Sequence, residues 1–268
     1  MHFLRLFWEA ALHWYRREAG ILAAALAYLT PFVLIPLLAV SVTTASWLIG
    51  RDQFIETLIG WGMQLAPDIT ELLIVVTADF DMSEVGYGVP WFGYVFFLWI
   101  IVYTFNMLTY GLQRIWLSTG SGWLAVLVNA GKAVGFFILL QIYLISIIVF
   151  HSSVSLVGIN QGLQAAFETT SIFLLTVGLF YATFTILGRR ALHWSSCLTG
   201  ALVVAISFIF LRWLVTWWIA STPAIDLFGT AGLILGILVW VYLTTACIYY
   251  GAAYAWVFER QRTAHRSR

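Results

Sequence analysis

The sequence predicts an all-α membrane protein with six transmembrane helices and with both chain ends in the cytoplasm. Three observations lead to this prediction. Hydrophobic residues make up 62% of the chain and charged residues only 9%, whereas a soluble domain carries about 25% charged residues. Six apolar stretches are each long enough to cross a bilayer, which takes about 20 residues. The basic residues lie almost entirely on one side of those stretches.

The N-terminal segment 1–19 is predicted to be an amphipathic helix that lies in the membrane interface on the cytoplasmic side. One face of this helix carries the apolar residues Phe3, Phe7, Ala10, Ala11 and Trp14. The charged side chains lie largely on the other faces. Such a separation is typical of a helix that lies on a membrane and does not cross it.

The six-helix transmembrane domain is predicted over residues 20–258. Its spans lie near 20–49, 90–112, 123–150, 167–188, 194–219 and 227–257. The first span contains Pro31 and Pro36, which are expected to kink the helix or to break its hydrogen-bond ladder. Residues 259–268 are interpreted as a basic cytoplasmic tail.

The outer loop 51–89 is long for a compact membrane protein. Its apolar stretches within 53–80 are interpreted as two short amphipathic helices in the interface, with a re-entrant pair as the alternative. The residues Asp79, Asp81 and Glu84 lack the glycine and the remaining ligands of an EF-hand loop. A solvated acidic turn is therefore favoured over a calcium site.

The orientation follows from the basic residues. With the N-terminus inside, the cytoplasmic segments carry 11 of the 13 Lys and Arg residues, and only Arg51 and Arg212 lie toward the outer side. Because Lys and Arg are retained on the cytoplasmic side of membrane proteins, this distribution predicts that both ends lie inside.

Ionisable residues inside the spans are the first candidates for ligand binding, because a charge is costly to place in lipid. Lys132 lies about 14 Å into the third span by helical rise, and Asn129 shares its helix face. Their structural alternatives are snorkelling or pairing for Lys132 and interhelical hydrogen bonding for Asn129. Arg212 lies toward the outer end of the fifth span, where its guanidinium suits a phosphate or a carboxylate. Its structural alternative is an ion pair with Asp226.

Short motifs follow one another along nearly the whole chain. The first span carries Ala27, Tyr28, Thr30 and Pro36, an Ala-Tyr-x-Thr segment followed by a proline. The later motifs are Gln113-Arg114-Ile115-Trp116, Arg189-Arg190 with Trp194 and Gly200-Ala201, Arg212-Trp213, Phe228-Gly229-Thr230-Ala231-Gly232, Leu238-Val239-Trp240-Val241-Tyr242 and Gly251-Ala252. In this order the motifs resemble the YihY/BrkB family of bacterial inner-membrane proteins. The chain departs from the family pattern at Val33, where Ser is common, and at Ala253, where Glu is common.

The resemblance implies a six-helix protein of the bacterial inner membrane. Tyr28 and Pro36 of the first-span motif complete the candidate binding residues, together with Arg212, Lys132 and Asn129. The leading hypothesis is a transporter or flippase-like protein for a lipid or another envelope component. Its predicted partners are membrane lipids, with an anionic lipid or amphiphile as the substrate. The alternative is a non-transporting scaffold or assembly protein of the cell envelope.

The sequence predicts no enzyme, no cofactor and no metal site. It contains no G-x-x-x-x-G-K loop, no G-x-S-x-G elbow and no H-E-x-x-H pair. Cys197 and Cys247 fall inside apolar spans and are interpreted as packed small side chains. The formal net charge of +1 gives no indication of a nucleic-acid partner. The oligomeric state stays open.

Overall fold

The computed structural model describes residues 2–49, 91–117, 123–156, 161–187, 192–221 and 224–266, and these ranges are helical apart from short turns. They contain the helices α1 His2–Arg16, α2 Ala19–Ile49, α3 Trp91–Ile115, α4 Trp123–Leu156, α5 Gln161–Leu187, α6 Trp194–Ser221 and α7 Ala224–Arg266. The predicted all-α fold class is confirmed for the described residues. The outer loop 51–89, with its expected interfacial or re-entrant helices, lies outside the described residues.

Five helices in the described ranges are long and apolar enough to cross a membrane. Their apolar cores are Val95–Ile115, Val128–Ile147, Thr169–Leu187, Trp194–Leu211 and Leu238–Ala264. In α2, the described side chains form a shorter apolar stretch, Ala19–Val33. The chain is therefore a multi-pass membrane protein, while the sixth span and the cytoplasmic location of both ends stay predictions.

Helix α2 continues through both prolines of the predicted first span. It runs from Ala19 to Ile49 as one element, so neither Pro31 nor Pro36 ends it. Each proline removes one backbone donor from the helix, and the bonds of the neighbouring turns maintain it. The helix therefore continues past both residues, and the expected kink or break in its hydrogen-bond ladder stays a prediction.

The described residues form two compact units. One unit is drawn from residues 1–31, 101–136 and 174–268, and the other from residues 32–100 and 137–173. Within the second unit, the buried Gln141 of α4 donates from Nε2 to the carbonyl oxygen of Leu37 in α2 at 3.0 Å. Interhelical bonds of this kind hold polar side chains inside membrane proteins. The features described below belong to the first unit, apart from the candidate residue Pro36, which belongs to the second.

Helix α1 docks on the C-terminal part of α7. A buried apolar cluster joins the two helices through Leu6, Ala10, Tyr254 and Val257. The Phe7 ring lies 5.0 Å from the ring of Tyr254, and the Tyr250 hydroxyl donates to the Phe7 carbonyl oxygen at 3.1 Å. The apolar face of α1 therefore packs against protein, at least along this part. Its location in the membrane interface stays a prediction.

A tight corner at Glu18 joins α1 to α2. Glu18 has a φ of 56°, which is uncommon for a residue other than glycine. Its amide donates to the carbonyl oxygen of Tyr15 at 3.0 Å, and its own carbonyl accepts from the amides of Ile21 and Leu22. Its carboxylate pairs with Arg114 near the end of α3. The ion pair thus ties the corner to α3.

Trp116 follows α3 directly and is fully buried. Its indole Nε1 donates to the carbonyl oxygen of Ala252 in α7 at 2.9 Å. Its ring meets Phe184 of α5 edge to face, with the centroids 5.7 Å apart. Trp116 therefore connects the end of α3 to α5 and α7.

Helices α6 and α7 approach closely through small residues. A Cβ atom added to Gly251 would lie 2.1 Å from Cγ2 of Val204 and 2.8 Å from the carbonyl oxygen of Gly200. Ala252 and Ala255 beside it are fully buried. Small residues of this kind allow the backbones of two membrane helices to come into contact.

Candidate functional site

The binding residues predicted from the sequence lie on three helices, with Tyr28 and Pro36 on α2, Asn129 and Lys132 on α4, and Arg212 on α6. Tyr28 is largely exposed, and Lys132 and Asn129 are half-buried one helical turn apart. The side chains of Pro36 and Arg212 lie outside the described part of the structure. Their proposed roles stay predictions.

Asn129 belongs to a set of buried polar atoms that have no hydrogen-bond partner among the described residues. On the span helices these atoms are Thr104 Oγ1 and Gln113 Nε2 of α3, Asn129 Oδ1 of α4, and Thr244 Oγ1 and Tyr249 OH of α7. An unpaired buried donor or acceptor costs about 1–3 kcal/mol. Such atoms are therefore candidates for contact with a polar ligand group or water. We call them the unpaired polar set.

The threonines of this set differ from other threonines on the same helices. Thr109 and Thr245 donate their hydroxyl groups to carbonyl oxygens one turn back in their own helix, both at 2.8 Å. Thr104 and Thr244 make no such bond. Sequence reasoning missed both, because a threonine in an apolar helix usually bonds to its own backbone. Nothing in the sequence distinguishes Thr244 from its neighbour Thr245.

A second polar region is a cavity of about 350 Å³ between α1 and α7. Its polar wall is formed by Glu9, His13 and Arg16 of α1 and by Arg260 and Gln261 of α7. In the sequence analysis these arginines served only as evidence for the orientation of the chain in the membrane. Their meeting in one wall could not be deduced from positions so far apart along the chain.

His13 connects this cavity to the end of α3. Its Nε2 lies 2.9 Å from the carbonyl oxygen of Ile115, so the ring donates from Nε2. Burial lowers the pKa of His13, and the neighbouring charges of Arg17, Arg260 and Arg16 lower it further against the effect of the Ile115 bond. The ring is therefore neutral at pH 7.

We expect the protein to lose stability as the pH falls below about 6.5, the ordinary pKa of histidine, in part because of His13. Since the pKa is lowered in the folded chain, the unfolded chain binds the proton first. The contribution of neutral His13 to the free energy of unfolding is thus fully present above pH 6.5 and is lost as the pH falls through the folded-state pKa. The thermal midpoint in detergent, followed at pH 7.5, 6.5 and 5.5, should fall a few degrees more for the wild type than for His13→Gln. Identical slopes for the two proteins would contradict this assignment.

A third polar cluster closes the N-terminus of α6. Oε2 of Glu259 accepts from Ser196 Oγ at 2.6 Å and from the backbone amide of His193 at 3.2 Å. A carboxylate is stabilising at this end of a helix. Nδ1 of His193 lies 3.0 Å from Ser195 Oγ, but Glu259 contacts the backbone of His193 and not its ring. Among the described residues this arrangement fits helix capping and does not form a Ser-His-acid relay.

No three His, Cys, Asp or Glu side chains in the described part of the chain come together as metal ligands would. The acidic residues Asp79, Asp81 and Glu84 lie outside that part. The structure therefore places polar groups suited to ligand contact in two regions, the unpaired polar set and the cavity between α1 and α7.

Comparison with known protein families identifies a match. A family model described as virulence factor BrkB matches residues 12–268, nearly the whole chain. No curated protein and no solved structure matches the chain. The matched range includes α2 to α7 and the C-terminal part of α1. It therefore confirms the resemblance drawn from the sequence motifs.

Proposed function

We propose a transport function for this chain, which belongs to the virulence factor BrkB family. In this proposal the protein is a flippase-like transporter of the bacterial inner membrane that moves a lipid or another amphiphile of the cell envelope. The observation that supports it is the unpaired polar set on α3, α4 and α7. Polar groups inside a bilayer are expensive, and those that persist without a structural partner indicate a functional contact.

The alternative, a scaffold, requires only helices that pack. Polar side chains in a packed bundle are expected to bond to neighbouring helices or to their own backbone, as Thr109 and Thr245 do. The hydroxyl groups of Thr104 and Thr244 do neither within the described residues. This difference favours a bundle whose span helices meet a polar group that crosses the membrane.

The proposed substrate is anionic because of Lys132. This half-buried cation lies one turn from Asn129 on α4, so an ammonium group and an amide are available on one helix face. An anionic headgroup would compensate the charge of Lys132 and accept hydrogen bonds from its ammonium group, while the unpaired Oδ1 of Asn129 would accept from a hydroxyl of the headgroup. The proposal retains the predicted topology of six spans with both ends in the cytoplasm.

A translocation assay with matched threonine variants tests the proposal. The protein is reconstituted into liposomes that contain a fluorescent phosphatidylglycerol, and the fraction of probe that dithionite bleaches is followed with time. We expect Thr244→Val combined with Asn129→Leu to slow translocation about tenfold, which corresponds to about 1.4 kcal/mol. Thr245→Val removes a hydroxyl that is already bonded within its helix, so it should leave the rate near that of the wild type.

Two results would count against transport. Wild-type liposomes that bleach no faster than protein-free liposomes would favour the scaffold. Equal slowing by the Thr244→Val, Asn129→Leu double variant and by Thr245→Val would show that the unpaired polar atoms have no special role. Thermal midpoints of all variants, measured in detergent, separate a loss of activity from a loss of fold.

A further inference from the structure

We propose that the cavity between α1 and α7 binds a phosphate group, as a phosphate monoester or diester presents it. Arg16 and Arg260 are among the residues that line it. Neither arginine takes part in an ion pair in the part of the chain that the structure describes. The volume of about 350 Å³ falls in the range of small-ligand sites. This inference does not depend on the proposed transport, because none of the cavity residues belongs to the unpaired polar set.

The charge of the cavity wall is positive once its internal pairing is considered. Glu9 is its acidic residue, and that carboxylate accepts from Arg5 Nε and from Gln261 Nε2, both at 3.0 Å. The negative charge of Glu9 is therefore compensated from outside the wall by Arg5. The charges of Arg16 and Arg260 remain without a counterion among the described residues.

The positive charges of the two arginines both affect His13, which is part of the same wall. Arg16 and Arg260, together with Arg17, contribute to the lowering of the His13 pKa, after the larger effect of burial. Their positive potential therefore overlaps at His13, inside the cavity. His13 itself stays neutral at pH 7 and donates a hydrogen bond from Nε2 to the carbonyl oxygen of Ile115, so it does not require an anion of its own.

A phosphate suits this wall better than a carboxylate does. A guanidinium donates two parallel N–H bonds to two oxygens, and a phosphate offers enough oxygens to receive such pairs from more than one arginine. The strongly exposed Trp8 and Tyr15 on α1, 68% and 77% accessible, are residue types that favour the depth of lipid headgroups. The phosphate is therefore supplied either by an anionic phospholipid or by a soluble anion.

Binding measurements with two probes distinguish these sources. Protein purified in a neutral detergent is titrated calorimetrically with dihexanoyl-phosphatidylglycerol and, separately, with inorganic phosphate. We expect Arg16→Gln with Arg260→Gln to weaken binding of the recognised probe at least about tenfold, since two charge-assisted contacts are lost. Arg17→Gln is the matched control, because Arg17 also acts on His13 through its charge but does not line the cavity. Its affinity should stay within about twofold of the wild type.

Each outcome decides part of the proposal. Binding of the phospholipid alone, lost in the double variant, identifies a lipid headgroup as the ligand. Binding of inorganic phosphate, lost in the same variant, identifies the phosphate itself and admits a soluble source. The proposal is overturned if the wild type binds neither probe, if the double variant keeps wild-type affinity, or if Arg17→Gln loses as much affinity as the double variant.

A second double variant separates a loss of binding from a loss of fold. Arg16→Lys with Arg260→Lys keeps both charges but removes the paired donors of each guanidinium. Its thermal midpoint should match that of the wild type, and its affinity should lie between those of the wild type and the glutamine double variant. Wild-type affinity in the lysine variant would show that net charge alone is recognised, which overturns the bidentate contact.

Discussion

Replacing Trp116 by alanine is expected to lower the free energy of unfolding by about 3–5 kcal/mol. The side chain is fully buried, so its removal leaves a cavity that rigid helices fill only in part. The change also removes the bond from Nε1 to the carbonyl oxygen of Ala252 and the edge-to-face contact with Phe184. The end of α3 would then lose these two contacts with α5 and α7.

Two further variants separate the causes of this loss. Trp116→Phe keeps most of the ring and removes the hydrogen bond, for which we expect a loss of about 1 kcal/mol. Trp194→Ala, at the exposed start of α6, is the control and should change stability little. Unfolding in mixed micelles with increasing SDS measures all three. An equal loss for Trp116→Ala and Trp194→Ala would refute the connecting role of Trp116.

Replacing Gly251 by alanine is expected to destabilise the protein by about 1–3 kcal/mol, as overpacking of a tight core does. The added Cβ would lie 2.1 Å from Cγ2 of Val204 and 2.8 Å from the carbonyl oxygen of Gly200. Val204 has a stiff β-branched side chain, and the carbonyl oxygen is backbone. The strain is therefore relieved only if α6 and α7 move apart.

The control for Gly251 lies on the same helix. A Cβ added to Gly236 would meet no described atom within 4 Å, so Gly236→Ala should match or exceed wild-type stability through its higher helix propensity. In the Gly251→Ala background, Val204→Ala should restore part of the loss, because the two sites are in contact. If Gly251→Ala and Gly236→Ala unfold alike, the close approach at Gly251 is wrong.

The helices were predictable because lipid restricts the choices. A segment such as 194–219 is too apolar and too long for another role, and the structure forms α6 from Trp194 to Ser221. Which helices pack against each other was not predictable to the same degree. The apolar face of α1 is visible in the sequence, but its packing on Tyr254 and Val257 depends on residues more than two hundred positions away.

The candidate site was predicted only where a residue type is unusual for lipid. Asn129 and Lys132 stood out as polar groups within an apolar span, and the structure adds Asn129 Oδ1 to the unpaired polar set. Thr244 did not stand out, since its difference from Thr245 is a matter of hydrogen bonding and not of type. Arg16 and Arg260 were recognised as cytoplasmic charges, but their common cavity results from the docking of α1.

That docking has a consequence for biosynthesis. The bond from the Tyr250 hydroxyl to the carbonyl oxygen of Phe7 joins residues 243 positions apart. At a translation rate of about 5–20 residues per second, about 12–50 s separate the synthesis of the two residues. Throughout this interval Leu6 and Ala10 have no Tyr254 or Val257 to pack against. During synthesis the N-terminal helix therefore has to bind elsewhere, on the lipid surface or on a chaperone. It can dock on α7 only after the ribosome has synthesised the chain past Val257.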